Sequence, residues 1–183
     1  INMVTKKSQH IIDILNSDEL LKNNKSLIPE NNSVSYNNVS FAYDKEDVLK
    51  NVSFKAEENT VTALVGESGS GKSTIAKLMV RFWDVKRGEI KIGGIDIKDI
   101  SFAKLMDSIS YVSQDIYLFN TSIMENIRMG RPDATDEQVI EVAKIAQCHD
   151  FILELENGYD TLAGDAGNKL SGGQKQRISI ARA

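Results

Sequence analysis

Apolar residues change their spacing several times along the 183-residue chain. Ile11, Ile12, Ile14 and Leu15 lie close to helical spacing, and Leu20 and Leu21 follow a polar break. Residues 23–33 are then polar, rich in Asn and contain Pro29, which is a linker composition. This start reads either as a helix fraying into a tether or as the tail of an upstream domain. From Val34 the period becomes two: Val34 with Tyr36, Val39 with Phe41, then Val48, Val52 and Phe54 predict short strands of a half-exposed sheet. Residues 61–65 (VTALV) form an apolar run ending at a glycine, which predicts a buried parallel strand. Ile75, Leu78, Met79 and Phe82 mark one face of a helix over 72–83. Residues 89–92, the pair Gly93-Gly94 and residues 95–97 predict a hairpin with a glycine turn.

A helix over 101–109 and a short strand over 110–113 lead into Gln114, and there the strand pattern stops. Ser122 with Glu125, and Thr135 with Gln138, have the spacing of a capping box that opens a helix. Val139, Val142, Ala143 and Ala146 keep helical period behind the second box. A short helix over 150–155 closes near Gly158, residues 164–172 form a glycine-punctuated loop, and a last helix begins near Gln174. The coarse order is β-rich, then βα, then all-α.

The chain is 41% hydrophobic and 26% charged, an ordinary globular composition that excludes intrinsic disorder. Lys plus Arg is 22 and Asp plus Glu is 26, a net charge of −4. An acidic balance argues against nucleic acid as a partner, because phosphate neutralisation needs a basic surface. Cys148 is the single cysteine and cannot form an internal disulfide, which suits a reducing compartment. It reads as a core or surface residue rather than a nucleophile. His10 and His149 lack ligand-spaced partners, so no metal site of that kind is expected. Lys175, Arg177 and Arg182 read as a solvated helix face. No apolar stretch approaches the roughly 20 residues of a membrane-spanning helix, and the first residues do not read as a signal peptide.

The chemistry concentrates in two glycine-rich segments. Gly66-Glu67-Ser68-Gly69-Ser70-Gly71-Lys72-Ser73-Thr74 matches G-x-x-x-x-G-K-[ST] in full, between an expected strand and an expected helix. Backbone N–H groups of such a loop close on phosphate oxygens, and the helix dipole adds partial positive charge. Lys72 is placed to reach the β- and γ-phosphates, and the Ser73 hydroxyl to ligand Mg²⁺. A phosphate cradle alone does not separate kinase, GTPase and motor. Leu170-Ser171-Gly172-Gly173-Gln174 opens the last helix. Ser171 and Gln174 are explained by a capping box, but the two adjacent glycines weaken a helix. They suggest a second phosphate-binding surface.

With LSGGQ about a hundred residues after the phosphate loop and Gln114 between them, residues 34–183 resemble an ATP-binding cassette (ABC) ATPase domain. The implied fold is α/β: a P-loop NTPase core, an antiparallel β-subdomain and an all-α helical subdomain over 115–170, with the C-terminal strands missing. The resemblance implies ATP and Mg²⁺ as cofactors and a head-to-tail dimer of two cassettes. Residues 66–74 would be the Walker A segment, Tyr43 the residue stacking on adenine, and Val48 an apolar contact to the base. Gln114 would be the Q-loop glutamine near water and Mg²⁺. Ser171, Gly172, Gly173 and Gln174 would touch the nucleotide of the partner cassette. Asp115-Ile116-Tyr117-Leu118-Phe119-Asn120-Thr121-Ser122-Ile123 with Glu125-Asn126-Ile127, then Phe151-Ile152 and Gly158-Tyr159-Asp160-Thr161, resemble the exporter type. Gly164-Asp165-Ala166-Gly167 stands in the place of the exporter X-loop, and residues 1–33 would join the domain to a transmembrane domain.

Four residues at three places depart from the family pattern: Asn59 in place of a glycine, Val85 in place of a proline, and Asp165-Ala166 in the X-loop. Asn tolerates the left-handed region, so the turn at Asn59 can survive. By resemblance the Walker B carboxylates lie past Ala183, so the chain alone is expected to be inactive and prone to self-associate. The implied function is an exporter ATPase on the cytoplasmic face of a cell membrane. An importer ATPase subunit, a soluble non-transport ABC ATPase and a non-hydrolysing binding module remain as alternatives.

Overall fold

A computed structural model describes residues 27–183, and Ile12 before them. The N-terminal helix expected from Ile11 to Leu21 therefore falls outside the described residues, save that Ile12 is helical. The chain divides into two compact units, one ending at Ile109 and the other running from Ser110 to Ala183.

In the first unit, β1 (Val34–Phe41), β2 (Leu49–Ala56), β3 (Arg87–Ile92) and β4 (Ile95–Asp96) form one sheet in the order β2-β1-β3-β4. Every neighbouring pair is antiparallel. The two-residue period explains the core: Tyr36, Val39 and Phe41 of β1 and Ile90 and Ile92 of β3 are buried together. Tyr36 faces Phe54 across the β1–β2 ladder, with stacked rings 4.6 Å apart. Its hydroxyl donates to the Ile75 carbonyl at 2.7 Å, which ties the sheet to the helix above it. Burial drives the Tyr36 pKa far above its ordinary value. Gly93 and Gly94 take φ of 53° and 81°, the conformation that a two-residue turn of the β3–β4 hairpin requires. Asn59 takes φ of 57°, the left-handed turn expected of it.

Helix α1 (Lys72–Met79) is shorter than the sequence pattern predicts. Arg81 sits at φ 53°, its N–H donates to the Leu78 carbonyl at 3.0 Å, and the Phe82 N–H donates to the Lys77 carbonyl at 3.1 Å. That pair of bonds is the Schellman arrangement, which terminates a helix. The buried Arg81 guanidinium then holds the Asp84 carboxylate at 2.8 Å and fixes the turn. Helix α2 (Phe102–Ser108) follows behind a Ser101 cap.

Two expected strands do not form. Residues 61–65 belong to no strand, and Val61 and Val65 are 101% and 94% exposed. Residues 110–113 are likewise irregular. A strand exists only through its ladder, and among the described residues neither segment has a neighbour to pair with.

The second unit is helical: α3 (Ile123–Arg128), α4 (Asp136–Ile145), α5 (His149–Leu153) and α6 (Gly172–Arg182). Leu118, Ile123, Val139, Cys148, Ile152 and Ile178 belong to its core. Helix α3 opens on the Ser122 hydroxyl; α4 and α6 open on complete capping boxes, Thr135 with Gln138 and Ser171 with Gln174. A single antiparallel bridge, Ser122 to Leu162, pins the loop before α3 to the loop after Tyr159. Cys148 is buried, and its thiol points to the Ala143 carbonyl at 3.3 Å, as a packing residue does. Among the described residues no helix is long and apolar enough to cross a membrane.

Candidate functional site

The phosphate loop is built by short-range backbone geometry. Gly69 and Gly71 take φ of 81° and 90°, and the Ser70 N–H donates to the Glu67 carbonyl at 3.3 Å. A Cβ on Gly71 would fall 2.6 Å from Leu49 Cδ2, so only glycine lets the loop pass the start of β2. The Lys72 ammonium folds over the loop, donating to the carbonyls of Gly66 at 2.9 Å and Glu67 at 2.6 Å and to the Ser70 hydroxyl at 3.3 Å. Those bonds hold a positive charge at the centre of the loop. Ser68 and Ser73 are exposed, and Thr74 is buried.

Helix α1 has no side-chain cap and no acidic residue in its first turn. Among the described residues, four of the five α-helices that follow α1 carry a Ser or Thr cap. The exception is α5, which starts at Cys148. Helix α1 thus presents its unsatisfied N–H groups and dipole to whatever sits in the loop, an arrangement suited to an anion.

Tyr43 and Val48 belong to the same unit. Tyr43 is about half exposed; its hydroxyl shares a hydrogen bond with Thr74 Oγ1 at 3.1 Å. Its ring meets Phe41 and Trp83 edge to face, each with centroids 5.0 Å apart. Ring and phosphate loop are therefore joined through Thr74. Val48 lies against the loop, its Cγ1 3.6 Å from where a Gly71 Cβ would stand. Trp83 was not among the expected site residues; the aromatic run Phe82-Trp83 is the signal that could have marked it.

The remaining expected residues lie in the helical unit. Gln114 is exposed at a bend just before α3's loop. At the start of α6, the Ser171 hydroxyl accepts from the Gln174 N–H at 3.3 Å and Gln174 Oε1 accepts from the Ser171 N–H at 2.9 Å. A Cβ on Gly172 or Gly173 would meet nothing within 4 Å, and neither has positive φ. The fold itself does not require these glycines. Their bare amides form an exposed, uncharged platform at a helix N-terminus. Arg182 departs from the expected solvated face: its guanidinium is half-buried against Asn126 and Tyr117. Its spacing of four from the buried Ile178 is the signal that could have turned it inward. Arg177 stays exposed, its guanidinium 5.1 Å from the Phe151 ring. His149 pairs with the Tyr159 hydroxyl at 2.9 Å, and among the described residues no cluster of His, Cys, Asp or Glu is placed to hold a metal.

A loop matching G-x-x-x-x-G-K-[ST] that opens a helix, within a unit built on an antiparallel sheet, is the pattern of the P-loop class of nucleotide-binding proteins. The family model for the ABC transporter matches residues 49–183, and the chain belongs to that family. A Bacillus subtilis protein named as a multidrug export ATP-binding/permease protein is 51% identical over 81% of this chain, which covers 26% of that protein. A Haemophilus influenzae protein named as an ABC transporter ATP-binding/permease protein is 42% identical over 96% of the chain and 32% of its own length. Among solved structures, a bacterial Atm1-family ABC exporter with ATP bound superposes with a TM-score of 0.89 at 40% identity, over 98% of this chain and 32% of that one. The chain thus spans a third or less of the length of these relatives.

Proposed function

We propose that this chain is the ATP-binding and ATP-hydrolysing domain of an exporter-type ABC transporter, working at the cytoplasmic face of a membrane. The observation that carries the reading is the uncapped N-terminus of α1 behind a loop closed by Lys72. The relatives' names, which pair ATP binding with a permease, support the exporter assignment. Residues 34–183 form the domain in this reading, with 115–170 as its helical part, and residues 1–33 join it to a transmembrane domain.

The tasks of the residues in this reading are those that the family motifs imply. Tyr43 stacks on the adenine and Val48 packs against it. The N–H groups of residues 66–74 and the Lys72 ammonium neutralise the β- and γ-phosphates. Ser73, exposed at the first turn of α1, would hold Mg²⁺, and the family motif assigns Gln114 a role as a contact to water and metal. When bound, that ion supplies charge neutralisation to the transferring phosphoryl group. Gly172 and Gly173, with Ser171 and Gln174, offer amides to the nucleotide of a second cassette.

A fluorescent ATP analogue titrated into the full-length protein tests the assignment. Lys72→Ala is expected to weaken binding through the phosphates. Tyr43→Ala is expected to weaken it by about 1–3 kcal/mol, the usual scale of base–aromatic stacking. Unchanged affinity in both variants would refute the site.

A further inference from the structure

The helical unit contains a polar cluster that nucleotide chemistry leaves unused. Asn126 of α3 is wholly buried, at 0% exposure. Its Oδ1 accepts the Phe119 N–H at 2.9 Å. Its Nδ2 donates to the carbonyls of Phe119 at 2.9 Å, Ser122 at 3.1 Å and Thr121 at 3.4 Å. One side chain therefore closes the 117–122 loop onto α3.

Arg182, in the last turn of α6, clamps the same cluster. Its Nε donates to the Asn126 carbonyl at 2.8 Å, Nη2 to Asn126 Oδ1 at 2.9 Å, and Nη1 to the Tyr117 carbonyl at 3.1 Å. All three acceptors are neutral oxygens, so the fork geometry of the guanidinium matters more than its charge. Gly130 supplies an independent sign of the same docking: a Cβ there would overlap the Arg182 carbonyl oxygen. Any side chain at 130 would lift the end of α6 away from α3. Ile178, one turn earlier on α6, is buried in the core of this unit.

An α-helix of 11 residues is a stiff rod about 16 Å long. One end of α6 carries the bare amides of Gly172 and Gly173; the other is bolted to the loop that presents Tyr117 and Phe119. Those two rings are 57% and 49% exposed and meet edge to face, 5.2 Å between centroids.

We propose that Arg182 and Asn126 are positioning residues that lock α6 to the 117–122 loop, so that displacement of Gly172–Gly173 on contact with a nucleotide moves Tyr117 and Phe119 with it. The proposal rests on the reading of α6 as a nucleotide-contacting helix.

Hydrogen exchange of the full-length protein, with and without a non-hydrolysable ATP analogue, tests it. In the unaltered protein the analogue is expected to protect residues 66–74 and to change exchange over 117–122. In Arg182→Gln, which cannot bridge three acceptors, protection at 66–74 should persist and the change over 117–122 should be lost. Exchange over α4 reports whether the helical unit remains folded. If Arg182→Gln unfolds it, Asn126→Asp decides, since it retains an oxygen for Arg182 and removes the donor to the three loop carbonyls. A nucleotide response over 117–122 that survives in the folded variant overturns the proposal, as does a silent loop in the unaltered protein when 66–74 is protected. Absence of protection at 66–74 overturns the functional reading, and the proposal with it.

Discussion

Glycine does two different things in this chain, and substitution separates them. At Gly71 the backbone needs φ of 90° and the close approach to Leu49, so Gly71→Ala strains the loop itself. It is expected to lower both stability and nucleotide affinity. At Gly172 the φ is ordinary and the space is open, so alanine costs the fold nothing. Gly172→Ala, at the first residue of α6, is expected to leave stability unchanged or raise it by less than the roughly 0.5–1 kcal/mol that separates the two residues in a helix interior, while lowering ATP turnover of the full-length protein. Denaturant melts beside phosphate release measure both; a variant at least as stable and fully active would remove Gly172 from the functional surface. Cys148 behaves as the opposite kind of residue. Burial pushes its thiol up to about 11, so the thiolate form is scarce near neutrality. Because the folded value lies above the unfolded one, the contribution of this group to stability is present below the ordinary thiol value and is lost as pH rises toward 11. Alkylation of the Cys148 peptide at pH 8, followed by mass spectrometry, is expected to be slow in native protein and fast in denaturant.

Among the elements, the helices of the second unit declare their starts in sequence and their stops only in structure. Thr135 with Gln138 and Ser171 with Gln174 are short-range signals, and both boxes form as the spacing predicts. Thr135→Ala removes one of them, at a cost of about 1 kcal/mol to the helical unit. Nucleotide binding at residues 66–74 should be untouched, and an equal loss of binding would show that the two units are not energetically separate. Helix ends are less legible. Helix α1 stops at Met79 although Phe82 continues the apolar face, because Arg81 adopts the left-handed conformation and pairs with Asp84. No propensity of Arg announces that turn; it is set by the burial of the guanidinium.

For the whole molecule, residues 61–65 matter most. Their composition is that of a buried strand, uncharged and with a β-branched residue at three of five positions, yet they are exposed and unpaired in this chain. An unpaired apolar strand is a template for association with another chain. The 183-residue chain is therefore expected to self-associate, and Val61→Lys, a charge placed at the end of the run, should shift it toward monomer. Sedimentation across a range of concentrations measures this. Equal association of both forms would place the adhesive surface elsewhere.

What the sequence determined alone is what depends on neighbours in the chain: the period-two strands, the hairpin at Gly93-Gly94, the capping boxes, and the phosphate loop with its lysine. These are local because backbone conformation and first-turn hydrogen bonds reach only a few residues. Tertiary structure decided everything that needs a distant partner. Residues 61–65 have strand composition without a ladder, and Tyr43 is tied to the loop only because Thr74 comes within 3.1 Å of it. Arg182 turned inward because Asn126, 56 positions earlier, offered a buried carbonyl and amide oxygen. A guanidinium is left solvated or enclosed according to the acceptors that folding brings to it, and sequence spacing cannot list those in advance.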